Sequence, residues 1–329
     1  MTTTPIVLGP NQPPARPYRG GAGIRALRGR GSDDPFAPED FVASTTCTFG
    51  SDVVGLTTLP NGVLLRDAIE ADPDAWLGAD HVARFGADTG LLVKILHTGE
   101  RLFNHVHPGA DFARRHLGAP HGKTESWLIV DTGGRDAGDV WLGFARDVTV
   151  AELEAWFERQ DSGEMLEALN HIRVRAGDYV HVPAGTPHSI GEGITMVELQ
   201  EPVDLSVILE YAPFPALDRE AALLGLPVET ALAAASTGRT TPSQLRELHG
   251  RAADGAFLPA EAQRFYRAER VRGGDVLDAG FSVVVVLDGA GSIGGVDVAR
   301  GSTVVVPFAA GELTVGGDVG AVRCRPPVA

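Results

Sequence analysis

The sequence predicts a mainly β protein built from two antiparallel barrels of unequal size, with helical segments within and between them. Two blocks, residues 91–211 and 262–327, alternate short apolar strands with turns about every eight to twelve residues. The second block echoes the first, because Gly177 precedes Pro183 at the same spacing as Gly301 precedes Pro307. A repeated turn, strand and proline favours a second, smaller barrel of the same type.

The composition points to a protein that acts on small molecules. The chain has 329 residues, of which 43% are hydrophobic and 22% charged, and this length suffices for about two domains. The formal net charge of −15 disfavours nucleic acid and anionic membrane surfaces as partners. No apolar run reaches the ~18 residues of a membrane span, and the start lacks a signal-peptide pattern. Two cysteines, Cys47 and Cys324, form no CxxC pair, and we expect free thiols in the cytoplasm.

The patterning divides the chain into four parts. Residues 1–40, rich in glycine, proline and arginine, predict an irregular arm that wraps the rest of the protein. Residues 41–215 predict the larger barrel, with an inserted helix at 148–170 that starts with a capping box of Thr149 and Glu152. Residues 216–261 predict a helical connecting segment, and residues 262–329 predict the smaller barrel.

Four residues of the larger barrel predict a metal site. His105 and His107 are two apart on a predicted strand, so both imidazoles point to the same face. Buried imidazoles need partners for their nitrogens, and a shared metal satisfies both. Glu125 opens the next strand, and His188 follows a Pro-Ala-Gly-Thr-Pro turn. Three imidazoles and a carboxylate suit one divalent metal, zinc first, with iron, manganese, cobalt or nickel as alternatives. No histidine follows His249, so we expect the smaller barrel to bind no metal.

The spacing of these residues resembles the cupin double motif. That motif is His-x-His, a later Glu, and then Gly-Asp-x-x-x-x-Pro-x-Gly-x-x-His. It is matched by His105 and His107, by Glu125, and by the run from Gly177 to His188. The resemblance implies that both barrels are cupin-type jelly rolls.

The long gap between the two motifs resembles one branch of cupins, the type I mannose-6-phosphate isomerases in their short bacterial form. The residues that carry this resemblance are Val106-His107-Pro108, Gly122 to Trp127, Val174 to His188 and Val197-Glu198. It implies a metal held by His105, His107, Glu125 and His188, with His105 where the family has glutamine. It also implies that Lys123 is an active-site lysine and Glu198 the candidate catalytic base.

Two further positions depart from the family pattern. Ile208 stands where the family has a catalytic arginine, and Phe103 stands where it has a phosphate-contacting serine. We therefore expect a divergent, metal-dependent aldose–ketose isomerase of a sugar or sugar phosphate, with an altered substrate. The alternatives are a non-catalytic cupin that senses a sugar or binds metal, and an Fe(II) cupin oxygenase. An arginine-rich arm could restore phosphate binding by folding over the pocket, through the residues Arg16, Arg19, Arg25, Arg28 and Arg30.

Overall fold

Residues 3–328, which the computed structural model describes, form four antiparallel sheets, two in each of two barrels. The first eleven strands are β1 (Ile6–Leu8), β2 (Glu39–Val42), β3 (Leu92–His97), β4 (His105–Val106), β5 (Glu125–Asp131), β6 (Gly138–Phe144), β7 (Leu169–Val174), β8 (Asp178–Val182), β9 (His188–Ile190), β10 (Thr195–Gln200) and β11 (Val207–Ile208). The remaining strands are β12 (His249–Arg251), β13 (Gly255–Ala256), β14 (Arg267–Arg272), β15 (Val276–Leu277), β16 (Ser282–Asp288), β17 (Ala290–Ile293), β18 (Val296–Ala299), β19 (Thr303–Val306), β20 (Leu313–Gly317) and β21 (Gly320–Arg325).

The strand order confirms the prediction of a mainly β fold with two cupin-type barrels. The first barrel joins a six-stranded sheet, β12-β8-β5-β10-β3-β2, to a five-stranded sheet, β11-β4-β9-β6-β7. The second barrel joins β1-β19-β16-β21-β14-β13 to the four-stranded sheet β15-β20-β17-β18. One apolar core is shared by the two barrels, since Ile95 and Leu128 of the first barrel and Val285 and Val322 of the second belong to a single buried cluster.

The helices are short and lie around the barrels. They are α1 (Ala22–Arg28), α2 (Leu65–Ala71), α3 (Pro73–Leu77), α4 (Ala79–Phe85), α5 (Ala110–Leu117), α6 (Val150–Arg159), α7 (Ser162–Ala168), α8 (Arg219–Ala222), α9 (Val228–Leu232) and α10 (Pro242–Leu248). No helix within residues 3–328 has the length and apolarity needed to cross a bilayer.

The inserted helix predicted at 148–170 is two helices in the structure. The predicted capping box is present, because Thr149 and Glu152 exchange side-chain and backbone hydrogen bonds at the start of α6. The helix ends at Gln160, which has a left-handed φ of 52°. The Gln160 side chain accepts from the backbone N–H of Tyr211 at 2.7 Å and donates to the carbonyl of Leu209 at 3.2 Å. The break thus ties the insertion to the chain that follows β11.

The segment predicted as an irregular arm contains regular elements that join the two barrels. β1 pairs with β19 of the second barrel, and β2 pairs with β3 of the first. Between them, the Arg28 guanidinium is buried. It donates to Asp40 in the first barrel, and to the Leu8 carbonyl at 2.8 Å and Thr303 Oγ1 at 3.0 Å in the second. The arm therefore links the barrels through both sheet pairing and a buried arginine.

We predict that Arg28→Ala destabilises the protein by about 3–5 kcal/mol, because it leaves the buried Asp40 carboxylate without its charged partner. The free energy of unfolding, measured by denaturant titration, checks this. Arg30→Ala is the matched control, since Arg30 is exposed and makes one long contact of 3.4 Å to the Leu8 carbonyl; we expect a change within about 0.5 kcal/mol. Equal effects of the two substitutions would contradict a linking role for Arg28.

Candidate metal centre and adjoining pocket

Strand register brings three histidines together inside the first barrel. β4 and β9 are antiparallel neighbours, and His105 lies directly opposite His188. His107 directly follows β4, two residues after His105, and its ring lies beside the His105 ring. The ring centroids are 4.0 Å apart for His105 and His188, and 4.9 Å apart for His107 and either of the others. Residues that are far apart in the sequence therefore form one buried cluster.

Each imidazole is oriented by a hydrogen bond from Nδ1 to a backbone carbonyl. The acceptors are Phe103 for His105 at 2.9 Å, Leu205 for His107 at 2.9 Å, and Thr186 for His188 at 2.8 Å. A donor role for Nδ1 fixes the tautomer and leaves the Nε2 lone pair free on each ring. Metal-ligating histidines are held in this way.

The Glu125 carboxylate lies beside the three histidines and is the candidate fourth donor. Its Oε2 lies 3.0 Å from Nε2 of His107, and its Oε1 lies 3.3 Å from Nε2 of His188. Trp127 Nε1 donates to Oε1 at 3.1 Å. Within the described residues, both of these Nε2 atoms are buried without a hydrogen-bond partner. Converging lone pairs are costly in a water-poor interior unless a cation lies between them.

The protonation states suit metal binding. Burial, followed by the neighbouring His188 and His107, holds the pKa of His105 well below its ordinary value. Burial and the Lys123 ammonium lower the pKa of His107 to about 3. Burial opposes ionisation of Glu125, but Lys123 and His107 outweigh it and hold the pKa of this carboxyl well below its usual range. At neutral pH His105 and His107 are therefore neutral and Glu125 is a carboxylate, and a set of three imidazoles and a carboxylate fits one divalent metal ion.

Lys123 points into the same site. Its Nζ lies 3.1 Å from Glu125 Oε2 and 3.9 Å from Glu198 Oε1, and the side chain is buried. The turn that positions it packs tightly against the chain after β4, since its backbone N–H donates to the Pro108 carbonyl at 3.0 Å. Gly122 permits this approach, because a Cβ there would lie 2.4 Å from the Ala110 nitrogen.

Glu198 lies in a row of side chains across three strands. On β10 it is directly opposite Lys94 of β3 and Trp127 of β5. The Lys94 Nζ lies 3.8 Å from Glu198 Oε1. Burial and the charge of Glu125 raise the pKa of Glu198 to about 7. The carboxylate thus adjoins the metal donors without belonging to them.

A group of buried charges lies beside this row and was not predicted as a group from the sequence. Lys94 contacts Glu39 and Asp204, at 3.1 Å each, and Arg16 contacts the same two carboxylates at 3.0 and 2.9 Å. Tyr18 donates to Glu39 at 2.7 Å. Two of these residues had a signal in the sequence: Lys94 is a lysine within the apolar run of a predicted strand, and Arg16 belongs to the arginine-rich arm. We call Arg16, Glu39, Lys94 and Asp204 the ionic cluster.

One arginine of the N-terminal arm reaches the pocket. Arg16 lines it as part of the ionic cluster. Arg19 lies over the Phe36 ring, Arg25 contacts Ser32 and Asp33, and Arg28 is buried between the barrels. Arg30 reaches only the Leu8 carbonyl among the described residues. The arm as a whole is therefore not folded over the pocket.

The pocket above the histidines has a volume of about 180 Å³. It is lined by Phe103 and Ile208, which stand where the resembled family has a serine and an arginine. Ile208 on β11 is directly opposite His105, and the Phe103 ring is 5.2 Å from the His105 ring. The pocket thus joins the metal donors, the ionic cluster and an apolar surface.

Comparison with known proteins agrees with this architecture. The mannose-6-phosphate isomerase ManA of Bacillus subtilis is 40% identical over 114 residues, which cover 35% of this chain and 34% of that protein. The mannose-6-phosphate isomerase of Streptococcus mutans is 32% identical over 170 residues, covering 47% of this chain and 52% of that protein. The alignments thus span about a third to a half of these relatives. No family model matches the chain.

Solved structures extend the likeness of fold to the whole chain. The crystal structure of the mannose 6-phosphate isomerase from Bacillus subtilis superposes with a TM-score of 0.77, at 20% identity, over 98% of this chain and 99% of that one. A phosphomannose isomerase from Salmonella typhimurium superposes with a TM-score of 0.71, at 14% identity, over 99% of this chain.

The fold and the site define a two-barrel cupin with a candidate metal centre in its first barrel. Among proteins of this kind, the chain is similar in sequence and in fold to the mannose-6-phosphate isomerases, and the resemblance predicted from its motifs is confirmed.

We predict that His188→Ala removes the metal, because it deletes one of four converging donors. Elemental analysis of protein purified without added metal should find about one equivalent in the wild type and almost none in the variant. His171→Ala is the matched control, since His171 is half-exposed on β7 and pairs with Asp139 at 2.8 Å. Wild-type metal content in a folded His188→Ala protein would refute the ligand assignment.

Proposed function

We propose that the protein is a metal-dependent aldose–ketose isomerase of a sugar or sugar phosphate. One observation carries this proposal. The buried cluster of three histidines lies next to the Glu198 carboxylate, which lines the same pocket as His105. The names of the relatives support the reaction class, since they are mannose-6-phosphate isomerases.

We propose that His105, His107, Glu125 and His188 hold the metal and that it is zinc, which three imidazoles and a carboxylate suit. When bound, a divalent metal supplies Lewis-acid polarisation of a substrate carbonyl or hydroxyl oxygen. The two free cysteines, Cys47 and Cys324, are consistent with our proposal of a cytoplasmic location.

The reaction moves a proton between C2 and C1 of the sugar through an enediol, while a second proton moves between the two oxygens. Glu198 is the proposed base. Its Oε1 is buried, has no hydrogen-bond partner among the described residues, and lines the pocket. Its raised pKa, caused by burial and by Glu125, suits a group that must both take and return a proton near neutral pH.

Lys123 and Lys94 flank this carboxylate at 3.9 and 3.8 Å. Both are buried, so their ammonium groups act at low dielectric, where charge is weakly screened. We propose that Lys123, which also contacts Glu125, stabilises the negative charge that develops on the enediol oxygens. Lys94, held by three carboxylates, orients Glu198.

A second candidate function, sugar sensing without catalysis, is favoured by one observation. Ile208 occupies the position where the resembled family has a catalytic arginine, and it faces His105. A protein with this site could bind a sugar at the metal without isomerising it, as a sensor. Sugar binding with no loss of the C2 proton in D₂O would identify this second function.

We predict that the metal-loaded protein exchanges the C2 proton of an aldose in D₂O, and that Glu198→Gln slows this exchange by about 10²–10⁴-fold, since an amide cannot accept the proton. Proton NMR measures the exchange directly. Metal content should stay near one equivalent in the variant. Glu192→Gln, the same change on an exposed loop, is the control and should leave the rate unaltered. Equal rates for Glu198→Gln and wild type would exclude Glu198 as the base.

A further inference from the structure

The pocket has two walls of opposite chemistry. One is formed by the ionic cluster together with Lys123 and Glu198. The other is apolar, and its residues belong to the buried core of the first barrel. We call it the apolar wall; it consists of Leu96, Leu102, Phe103, Ile190 and Ile208.

The apolar wall starts at the metal donors and is fixed in place. Phe103 stands perpendicular to the His105 ring, with the centroids 5.2 Å apart. It is held from other sides by Tyr18 at 6.0 Å and Phe214 at 5.2 Å, both edge-on. Its exposed fraction is 5%, and that of Ile208 is 6%. Because the ring is packed on several sides, it cannot turn away to admit a hydrated group.

Among the described residues, every cation of the charged wall is already held by carboxylates and is not free for an anionic substrate. Arg16 and Lys94 are each held between Glu39 and Asp204, at distances from 2.9 to 3.1 Å. Moving either cation to a substrate would leave buried carboxylates unpaired, which is costly. Lys123, the third cation, lies at the metal donors, 3.1 Å from Glu125.

We propose that this pocket selects an aldose whose far end is apolar and uncharged, such as a 6-deoxyaldose, over a phosphorylated aldose. The inference rests on the proposed isomerase function. With the C1–C2 end at the metal donors and Glu198, the rest of the sugar has to fit in the same pocket of about 180 Å³, against the apolar wall that starts beside His105. A methyl group there is buried against carbon. A phosphate dianion needs several hydrogen-bond donors, and Phe103 and Ile208 offer none.

Proton exchange at C2 in D₂O, with the metal-loaded protein, compares 6-deoxymannose, mannose and mannose 6-phosphate. We expect kcat/KM for 6-deoxymannose to exceed that for mannose by about 10-fold, the effect of placing a polar group against an apolar surface. It should exceed that for mannose 6-phosphate by about 10²-fold or more, as for a site without its phosphate donors. A higher kcat/KM for mannose 6-phosphate than for 6-deoxymannose overturns the inference.

Two variants test the apolar wall directly. The double variant Phe103→Ser, Ile208→Arg introduces a hydroxyl and a guanidinium, and it should reverse the preference toward mannose 6-phosphate. Phe103→Leu keeps the wall apolar and should retain the preference for 6-deoxymannose. A folded double variant that keeps the wild-type preference contradicts the role of these residues.

A binding measurement separates this inference from the isomerase proposal and does not depend on the double variant folding. Calorimetry of the wild-type, metal-loaded protein compares 6-deoxymannitol, mannitol and mannitol phosphate, which cannot be isomerised. If no aldose exchanges its C2 proton, the isomerase proposal fails, and the order of these affinities still decides the inference. Tightest binding of 6-deoxymannitol supports the inference. Tightest binding of mannitol phosphate, or no binding of any of the three, overturns it.

Discussion

The antiparallel pairing of β4 with β9 is the constraint on which the site depends. It places His105 opposite His188 in the interior of the first barrel, with His107 beside them. Every Nδ1 donates a hydrogen bond to a backbone carbonyl, which leaves the Nε2 lone pair of each ring free. Since the three rings lie together, these lone pairs converge. Glu125 adds a negative charge to that point. Such an arrangement is stable in a water-poor interior when a cation satisfies it, so the barrel and its metal centre are coupled.

The ionic cluster couples the N-terminal arm to the same interior. Arg16 enters from the arm, Glu39 stands on β2, Lys94 on β3, and Asp204 follows β10. Removing these charges from water is costly, and the cost is offset because each cation contacts two carboxylates at short distance. Two of its four members, Arg16 and Glu39, come from residues 1–40, so the complete cluster forms only when the arm is docked. When the cluster is complete, one side of the pocket is rich in charge, but Arg16 and Lys94 are both held by the Glu39 and Asp204 carboxylates.

Much of the fold was predictable, because strands and turns leave a local pattern. The period-two alternation, the repeated glycine and proline spacing and the capping box at Thr149 all identify elements from nearby residues. The predictions differed from the structure where distant contacts decide. A single helix at 148–170 is broken at Gln160, whose side chain binds the backbone at Leu209 and Tyr211. The arm, which reads as irregular, supplies β1 to one barrel and β2 to the other, and its own sequence carries no sign of those partners.

The site divides in the same way. The sequence by itself predicted the three histidines and Glu125 as a donor set, because residues of the right chemistry stand at spacings typical of a barrel strand and a tight turn. The structure places the three histidines in one buried cluster, with Glu125 beside them. Only the tertiary structure revealed that Lys94 and Asp204, 110 residues apart, form an ion pair beside Glu198. The tertiary structure alone also decided that Phe103 packs beside His105 as part of the apolar wall. A single charged or aromatic residue leaves no period in the sequence, and its role is set by neighbours that folding brings from elsewhere in the chain.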